Sequence, residues 1–244
     1  MIIFVVPAYN EEKNIGLLID ETHVYAQREK MDYRLVVVDD GSGDGTASIV
    51  REKSAKLPCV LVSYQPNRGV GEAFRQGMKK ALELAKPGDV IVTKEADRTS
   101  DLNILKKLIA KLDAGADVAL ASCYAKDGGI IGTTWPRMFL SRSANFLIYA
   151  VFHIKGVHTY SSFYRAYRPA ALQSVLQRYG DFYEEKGFVC VVELLVRLSR
   201  LRMKIVEVPM VLQSNQRIGQ SKMKIGKTTL GYFRIMLRNA FRKL

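Results

Sequence analysis

Two carboxylates one residue apart, Glu95 and Asp97, lie just after the short β-branched run at residues 90–93. Side chains at i and i+2 of an extended segment point the same way, so both acids aim at one spot beyond the predicted strand. Parallel α/β sheets bind their ligands at this end of the strands. Oxygen ligands with room for water suit Mg²⁺ or Mn²⁺, which commonly bridge to substrate phosphates. The pair is a candidate metal site, with two solvated acids as the alternative.

The end of the first predicted strand carries a second set of functional side chains, Pro7, Tyr9 and Glu11. Proline fixes the exit of the strand, and the N-terminus of the following helix offers free N–H groups. Tyr9 can stack on a base, and Glu11 can accept hydrogen bonds from a base or a ribose. A capped turn between strand and helix is the alternative.

The second predicted strand ends at Val38, and Asp39, Asp40 and Gly41 follow it. Paired carboxylates here can accept hydrogen bonds from a nucleobase or ribose, and glycine lets the backbone approach a ligand. A structural turn that caps the next helix explains the residues after Gly41 equally well. Further on, residues 69–71 form a Gly-x-Gly, but Phe74 stands where a dinucleotide-binding fingerprint needs a third glycine.

These strand ends need a sheet to bring them together, and the first half of the chain alternates apolar runs with amphipathic segments. This alternation predicts a mostly parallel sheet with right-handed crossovers. The predicted strands are residues 2–6, 34–38, 60–64, 90–93 and 118–122, and the predicted helices are residues 12–28, 46–56, 71–84 and 102–112.

After Tyr124 the pattern changes. Residues 126–129 are predicted to form a mobile loop, and residues 135–152 an aromatic helix that packs on the core or lies on a membrane. A strand near 162–167, a helix at 191–200, a strand at 204–208, a polar loop at 213–221 and a basic, aromatic helix at 228–244 follow. We expect one compact domain whose pattern divides it into residues 1–124 and residues 125–244.

Composition limits the partners. Of the 244 residues, 48% are hydrophobic, and the net charge is +13, which favours phosphorylated ligands, an anionic membrane surface or nucleic acid. The three separated cysteines predict neither zinc binding nor a disulfide framework. There is no apolar run of about 18 residues and no basic start typical of a signal peptide. We therefore expect a cytoplasmic protein at the membrane surface.

In combination, these segments resemble family 2 glycosyltransferases of the GT-A fold. The matching segments are residues 5–11, Val38-Asp39-Asp40-Gly41-Ser42, residues 67–71 and Glu95-Ala96-Asp97, in the right order. Residues 141–147, 160–168 and 217–222 resemble the dolichyl- or polyprenyl-phosphate mannose synthase branch. The resemblance covers nearly the whole chain and implies a single GT-A domain with amphipathic C-terminal helices. It also implies that residues 1–124 form a nucleotide-sugar-binding half and residues 125–244 an acceptor-binding half with membrane-surface helices.

The resemblance also implies roles for individual residues. Glu95 and Asp97 would hold Mg²⁺ or Mn²⁺ on the donor diphosphate, beside the backbone of Ala96. Arg137, Arg217 and Lys222 would grip phosphates of donor or lipid, so that Asp97, Arg137 and Arg217 form the catalytic set. The nucleoside would be held by Pro7, Tyr9, Glu11, Val38 and Asp40.

The sequence departs from the family at several positions. Glu95 replaces the usual aspartate, and Thr99 stands where a glutamine ligand is common. The closing Arg-x-x-Gly-x-Ser-Lys motif is one residue short, so that Gln216 rather than Arg217 falls at the family's spacing. Residues 161–165 also differ from the family's Thr-Ser-Gly-Phe-Arg.

The reaction predicted from the resemblance is an inverting transfer of mannose or glucose from GDP-mannose or a UDP-hexose to polyprenyl or dolichyl phosphate. A separate membrane subunit is a further expected partner. The alternative is a soluble glycosyltransferase with a hydroxyl acceptor, which needs a carboxylate base. Asp181, Glu184, Glu185 and Glu193 are the candidates for that base, although surface ion pairs explain them more simply. Nucleic-acid binding is not expected, because no recognised binding module is present.

Overall fold

The protein is described here by a computed structural model that covers residues 1–219 and 225–242. Its centre is a seven-stranded sheet in the order β3-β2-β1-β4-β7-β5-β8. The strands are β1 Ile2–Ala8, β2 Tyr33–Asp40, β3 Cys59–Tyr64, β4 Val90–Thr93, β5 Val118–Ser122, β7 Arg165–Tyr167 and β8 Ile205–Pro209. All are parallel except β7, which pairs antiparallel with both β4 and β5. The predicted GT-A-like, mostly parallel sheet is confirmed.

Helices cover both faces of this sheet. They are α1 Glu12–Arg28, α2 Thr46–Ser54, α3 Val70–Leu84, α4 Ile104–Asp113, α5 Trp135–Phe152, α6 Pro169–Tyr179, α7 Cys190–Arg200 and α8 Ile225–Arg242. Alternating side chains of β1 enter two separate cores. Ile3 and Val5 pack with α3, α6 and α7, whereas Phe4 and Val6 pack with α1 and α4. The all-apolar β1 is the expected signature of a strand that is buried on both faces.

The second half differs from the sequence prediction in three places. Helix α6 was not predicted, although Pro169 begins it and Gly180, at φ +75°, ends it. Gly129 lies in a short strand, β6 Gly129–Ile131, and not in a loop, because β6 pairs with β9 Val211–Gln213. The last predicted helix begins earlier, at Ile225, and its described part ends at Arg242. The pairing of β6 with β9 joins residues distant in sequence, so local pattern does not reveal it.

Helices α5 and α8 carry exposed apolar side chains. In α5, Ile148 is the buried residue, whereas Trp135, Phe139 and Phe146 are 60–71% exposed. The rings of Trp135 and Phe139 stack with their centroids 5.6 Å apart. Of the aromatic face predicted from sequence, Tyr149 and Phe152 are partly buried and pack against the core. Among the described helices, none combines the length and the hydropathy that a membrane-spanning segment requires.

Candidate active site

The site lies at the carboxyl edge of the sheet. Strands β1, β2 and β4 are neighbours and run parallel, so the polar segments that follow them meet at this edge. The register pairs Pro7 with Val38 and Val5 with Thr93. The sheet thereby gathers the sequence-predicted residues that follow the three strands: Tyr9, Glu11, Asp40, Glu95, Ala96 and Asp97.

Asp97 is the most heavily hydrogen-bonded acid of the predicted metal pair. Its Oδ1 accepts hydrogen bonds from Thr99 N at 3.1 Å and Thr99 Oγ1 at 2.7 Å. Its Oδ2 accepts from Arg217 Nε at 2.8 Å and from Nη2 of the same guanidinium. Asp97 is thus tied both to the turn that carries it and to a residue 120 positions away.

Glu95, the other acid of this pair, has weaker hydrogen bonding and a perturbed acidity. Its Oε2 lies 3.4 Å from Ser100 Oγ. Burial, together with the nearby Asp97 carboxylate, raises the pKa of Glu95. Burial and a nearby like charge disfavour the ionised form of a carboxyl group, and a cation that binds beside the group stabilises that ionised form. This electrostatic arrangement fits a metal ligand.

The loops after β1 and β2 are joined by side-chain hydrogen bonds. Ser42 Oγ accepts from Asn10 N at 2.9 Å, and Asn10 Oδ1 accepts from Gly43 N at 2.9 Å. Glu11 N donates to Thr46 Oγ1 at 2.8 Å. Asn10 itself has φ +52°, a left-handed conformation that asparagine tolerates. These bonds fix the backbone around Tyr9 and Glu11, the two side chains predicted to meet the nucleoside.

Asp40 anchors a third loop, residues 67–69. Its carboxylate is buried and accepts from Arg68 N at 2.8 Å, Gly69 N at 2.9 Å and Asn67 Nδ2 at 2.9 Å. Burial raises the pKa of Asp40, and the two backbone N–H bonds oppose that shift. The structure therefore gives Asp40 a loop-holding role in addition to the nucleoside contact predicted from sequence.

The Gly-x-Gly at residues 69–71 allows the backbone of residues 183–186 to pack closely on this loop. Gly71 N donates to Lys186 O at 2.9 Å, and Tyr183 Oη donates to Gly71 O at 2.8 Å. A Cβ at Gly71 would lie 2.7 Å from the carbonyl oxygens of Glu185 and Lys186. Glycine is required here because the backbone of residues 183–186 packs directly on this loop.

Arg217 reaches the site from the segment after β9. Residues 214–219, which we call the Arg217 loop, begin with a single 3₁₀ turn, Ser214–Gln216. Asn14 Nδ2 holds the loop by donating to Ile218 O at 3.0 Å and also donates to Glu11 Oε2 at 2.7 Å. A cleft of about 110 Å³ lies between this loop and the start of α1. Although sequence spacing pointed to Gln216, the structure places Arg217 on Asp97.

The remaining predicted residues differ in their burial and in whether the structure describes them. Val38 and Ala96 are buried, so their backbone atoms are the groups that can face a ligand. Tyr9 is 38% exposed at the edge of the site. Arg137 is exposed in the first turn of α5, and its phosphate-binding role stays a prediction. Lys222 lies outside the described residues.

The four acids considered as candidate bases are held by arginines. Asp181 lies 2.8 Å from Arg75 Nε, and Glu193, fully buried, lies 2.7 Å from Arg197 Nη2. Glu184 and Glu185 lie 2.6 Å and 3.0 Å from the guanidinium of Arg238 in α8. Arg238 thereby fastens α8 to Glu184 and Glu185, and it also lies 3.2 Å from Glu193 of α7. The other two pairs hold Asp181 to α3 and brace α7 internally, so all four acids have a structural role.

Sequence reasoning missed two residues around the metal pair. Thr99, which stands where a glutamine ligand is common in the family, is buried and its hydroxyl donates to Asp97. Lys94 was not predicted as a site residue. Its side chain is buried, and Nζ lies 5.7 Å from the ring centroid of Tyr164. Burial lowers the pKa of Lys94, and the nearby carboxylates of Glu95 and Asp97 oppose the shift. The only feature of the sequence that could have identified Lys94 was the presence of a lysine directly after an apolar strand.

The donor set of the pair fits a hard divalent cation. Glu95 and Asp97 offer oxygen atoms only, and Lys94 and Arg217 relieve only part of the burial and repulsion that raise the pKa of Glu95. Two carboxylates are fewer ligands than Mg²⁺ or Mn²⁺ needs, so phosphate oxygens and water would complete the shell. Within the described residues, no cluster of three or more potential metal-ligating side chains exists.

Comparison with known proteins supports this interpretation. Residues 3–176 match the family model described as glycosyl transferase family 2. The chain is 31% identical over 222 residues to polyprenol monophosphomannose synthase of Mycolicibacterium smegmatis, covering 90% of this chain and 79% of that protein. It is 29% identical over 235 residues to dolichol-phosphate mannosyltransferase of Pyrococcus furiosus, covering 96% of this chain and 62% of that protein.

Solved structures show the same fold. Glucosyl-3-phosphoglycerate synthase from Mycobacterium tuberculosis, in complex with phosphoglyceric acid, superposes with a TM-score of 0.68 at 20% identity over 97% of this chain and 79% of that one. Its complex with Mn²⁺, UDP and glucosyl-3-phosphoglycerate gives 0.66 at 19% identity, covering 98% of this chain and 79% of that one. From the family match, which spans well over half of the chain, and from the fold, we conclude that this protein is a glycosyltransferase of family 2.

Proposed function

We propose that this protein transfers a hexose, mannose or glucose, from a nucleotide-diphosphate sugar to a polyprenyl or dolichyl phosphate at a membrane surface. The observation that carries the acceptor assignment is the ion pairing of Asp181, Glu184, Glu185 and Glu193 with arginines. A hydroxyl acceptor needs a carboxylate to take its proton, whereas a phosphate is already anionic near neutral pH. The names of the two curated relatives, one a polyprenol monophosphomannose synthase, agree with a phosphate acceptor.

The donor half of this proposal is residues 1–124. Tyr9 and Glu11 stand at the exposed end of β1, and Asp40 holds the loop of residues 67–69 beside them. We infer that the base and ribose lie between these loops. The diphosphate would then extend toward Asp97 and Arg217, where a guanidinium can hydrogen-bond two phosphate oxygens at once.

The chemistry is a single displacement with inversion. An acceptor phosphate oxygen attacks the anomeric carbon, the bond from that carbon to the diphosphate oxygen breaks, and its electron pair leaves with the nucleoside diphosphate. When bound at Glu95 and Asp97, Mg²⁺ or Mn²⁺ would supply positive charge for the leaving diphosphate. Arg217 adds a protein cation at the same place, and the buried Lys94 lies near the carboxylates of Glu95 and Asp97.

The exposed faces of α5 and α8 support placement on a membrane. Trp135, Phe139 and Phe146 of α5 and Phe233 and Leu237 of α8 are 53–71% exposed. Helix α5 also presents the exposed arginines 137 and 142. Aromatic and aliphatic side chains beside basic ones favour the interface of an anionic bilayer. We propose a peripheral, cytoplasmic-leaflet association through this surface, with a membrane subunit as a further partner.

Membrane docking is testable with paired substitutions. Replacing Trp135 and Phe146 by alanine should lower co-sedimentation with phosphatidylserine vesicles several-fold. The matched control replaces Leu17 and Val24, two exposed apolar residues of α1, and should leave vesicle binding unchanged. Equal loss in both variants, or no loss in the first, would contradict docking through α5.

Transfer of label tests the reaction itself. Labelled GDP-mannose, UDP-glucose and UDP-GlcNAc are each incubated with polyprenyl phosphate vesicles and either Mn²⁺ or EDTA, and the organic phase is counted. Metal-dependent label there supports the proposal and identifies the sugar. Absence of label in lipid, with the donor bound or slowly hydrolysed, would instead favour the alternative of a hydroxyl acceptor, as for a soluble family 2 enzyme.

A further inference from the structure

Asp97 has no acceptor capacity left in this structure. A carboxylate offers about four lone-pair sites, two on each oxygen. Thr99 supplies two donors to Oδ1, its backbone N–H and its hydroxyl. Arg217 supplies two donors to Oδ2, from Nε and Nη2. All four sites are therefore filled by protein hydrogen-bond donors, at a residue predicted to bind a metal ion.

The two oxygens differ in how easily they can be released. Thr99 is 3% exposed and follows Asp97 by two residues, so its bonds to Oδ1 are part of the local turn. The Arg217 side chain is 27% exposed and reaches Asp97 from a distant segment. Oδ2 is the oxygen that can exchange its partner.

We propose that the Arg217 guanidinium occupies Oδ2 of Asp97 when no divalent ion is bound, and that a divalent ion binds Asp97 by displacing this guanidinium. The inference rests on the proposed function in placing the ion at Asp97 and the donor diphosphate beside it. It assigns Arg217 two successive partners. In the absence of the ion Arg217 pairs with Asp97, and after exchange its guanidinium is available to a phosphate.

The anchors of the Arg217 loop limit the movement to the side chain. On one side, Gln213 N donates to Thr99 O at 3.0 Å. On the other, Ile218 O accepts from Asn14 Nδ2 at 3.0 Å. Because both backbone anchors are independent of Asp97, the displaced guanidinium stays close to the metal site. A divalent ion bound at Asp97 would thus leave the Arg217 guanidinium available as a second cation for the diphosphate.

This exchange predicts effects of opposite sign for one substitution. Without nucleotide, Arg217→Gln removes the competitor and should tighten Mn²⁺ binding about tenfold, in the range expected for one charge-assisted pair. With UDP or GDP present, the same variant lacks a phosphate ligand and should bind Mn²⁺ and nucleotide more weakly than the wild type. A residue that only stabilised the fold would shift both affinities the same way.

Arg98→Gln is the matched control. Arg98 is the neighbour of Asp97 in sequence and carries the same charge, but its guanidinium pairs with Glu21. Removing Arg98 reports the long-range effect of losing one positive charge, without opening a lone pair on Asp97. The increase in Mn²⁺ affinity for Arg217→Gln should clearly exceed the increase for Arg98→Gln.

Mn²⁺ titration followed by electron paramagnetic resonance measures these affinities without any acceptor. The proposal is overturned if Arg217→Gln binds Mn²⁺ no more tightly than Arg98→Gln without nucleotide. It is also overturned if neither variant nor the wild type binds Mn²⁺ at millimolar concentrations. A reversal of sign on adding UDP or GDP supports it, even if no label reaches lipid phosphate, so the two proposals fail separately.

A second measurement uses the unmodified protein. Phenylglyoxal modifies free guanidinium groups, and peptide mass spectrometry reports the extent at Arg217. Mg²⁺ alone should increase modification of Arg217 several-fold, and Mg²⁺ with UDP or GDP should protect it again. Unchanged or reduced modification with Mg²⁺ alone would refute displacement, whatever the variants do.

Discussion

Replacing Asp40 by alanine tests how the nucleotide-facing loops are held. The carboxylate of Asp40 is the acceptor for the N–H groups of Arg68 and Gly69, at 2.8 Å and 2.9 Å. Alanine leaves both N–H groups without this partner. Asn67 is less affected, because its Nδ2 also donates to the backbone oxygen of residue 40 at 2.8 Å.

The size of the effect follows from these two donors. A hydrogen bond to a charged group contributes about 1.5–3 kcal/mol, so losing two costs about 3–6 kcal/mol at most, since both bonds are part-buried and water can partly replace the carboxylate. Part of that cost is offset, because burial raises the pKa of Asp40 and alanine removes the desolvated charge. We expect a net loss near 3 kcal/mol. For a chain of this length, that corresponds to a decrease in Tm of about 6–12 °C.

Thermal unfolding by circular dichroism measures the stability change, and calorimetric titration with UDP and GDP measures the nucleotide affinity. We expect the nucleotide Kd to rise about tenfold, which equals about 1.4 kcal/mol, because the 67–69 loop loses its anchor beside the proposed nucleoside pocket. The result checks both the structural bond and its proposed consequence for the donor.

Asp39→Ala provides the comparison, because Asp39 is equally buried. It accepts one backbone N–H, from Ser42 at the longer distance of 3.2 Å, and the rotatable hydroxyl of Ser63. Its removal should cost about 1 kcal/mol. If Asp40→Ala lowers Tm by less than Asp39→Ala and leaves nucleotide affinity unchanged, the loop-holding role assigned to Asp40 is wrong.

Three further outcomes are expected. Asp97→Asn should lower the rate of transfer at least 100-fold while the fold is kept. The control, Asp101→Asn, changes an exposed acid nearby and should retain activity. Equal transfer rates in the two variants would contradict a metal site at Asp97. Gly71→Ala should lower stability by about 1–3 kcal/mol, because its Cβ meets the 185–186 carbonyls, and an unchanged urea midpoint would contradict that packing. Burial raises the pKa of Cys123 to about 11, so its alkylation should be slow at pH 8 and rise about tenfold per pH unit; a plateau below pH 9 would disprove this.

Local pattern was sufficient for the first half of the fold. The predicted helix at residues 12–28 and the strands at 90–93 and 118–122 coincide with α1, β4 and β5. The hydrophobic periodicity and the turn residues determine these elements, because apolar runs separated by Gly, Pro and Asp turns are compatible with few other assignments of helices and strands. The same reasoning placed Tyr9, Asp40 and Asp97 at one edge, because strands that run parallel end together.

The exposure of α5 was undecided by its sequence. An apolar helical face packs on a core or lies on a surface with the same residue pattern, and only the neighbouring elements decide between the two. In the structure Ile148 is covered, whereas Trp135 and Phe146 are not. The division into donor and acceptor halves at residue 124 stays a prediction, because one sheet includes strands from both.

The sequence by itself determined the family, the order of the strands along the chain and the acids at their ends. The tertiary structure decided which distant groups meet them. β7, only three residues long, pairs between β4 and β5, and Arg217 rather than Gln216 contacts Asp97. Such contacts depend on how a loop crosses the sheet edge and on where its donors point. Neither property is contained in residue type or spacing, because hydrogen-bond geometry is set by the whole fold.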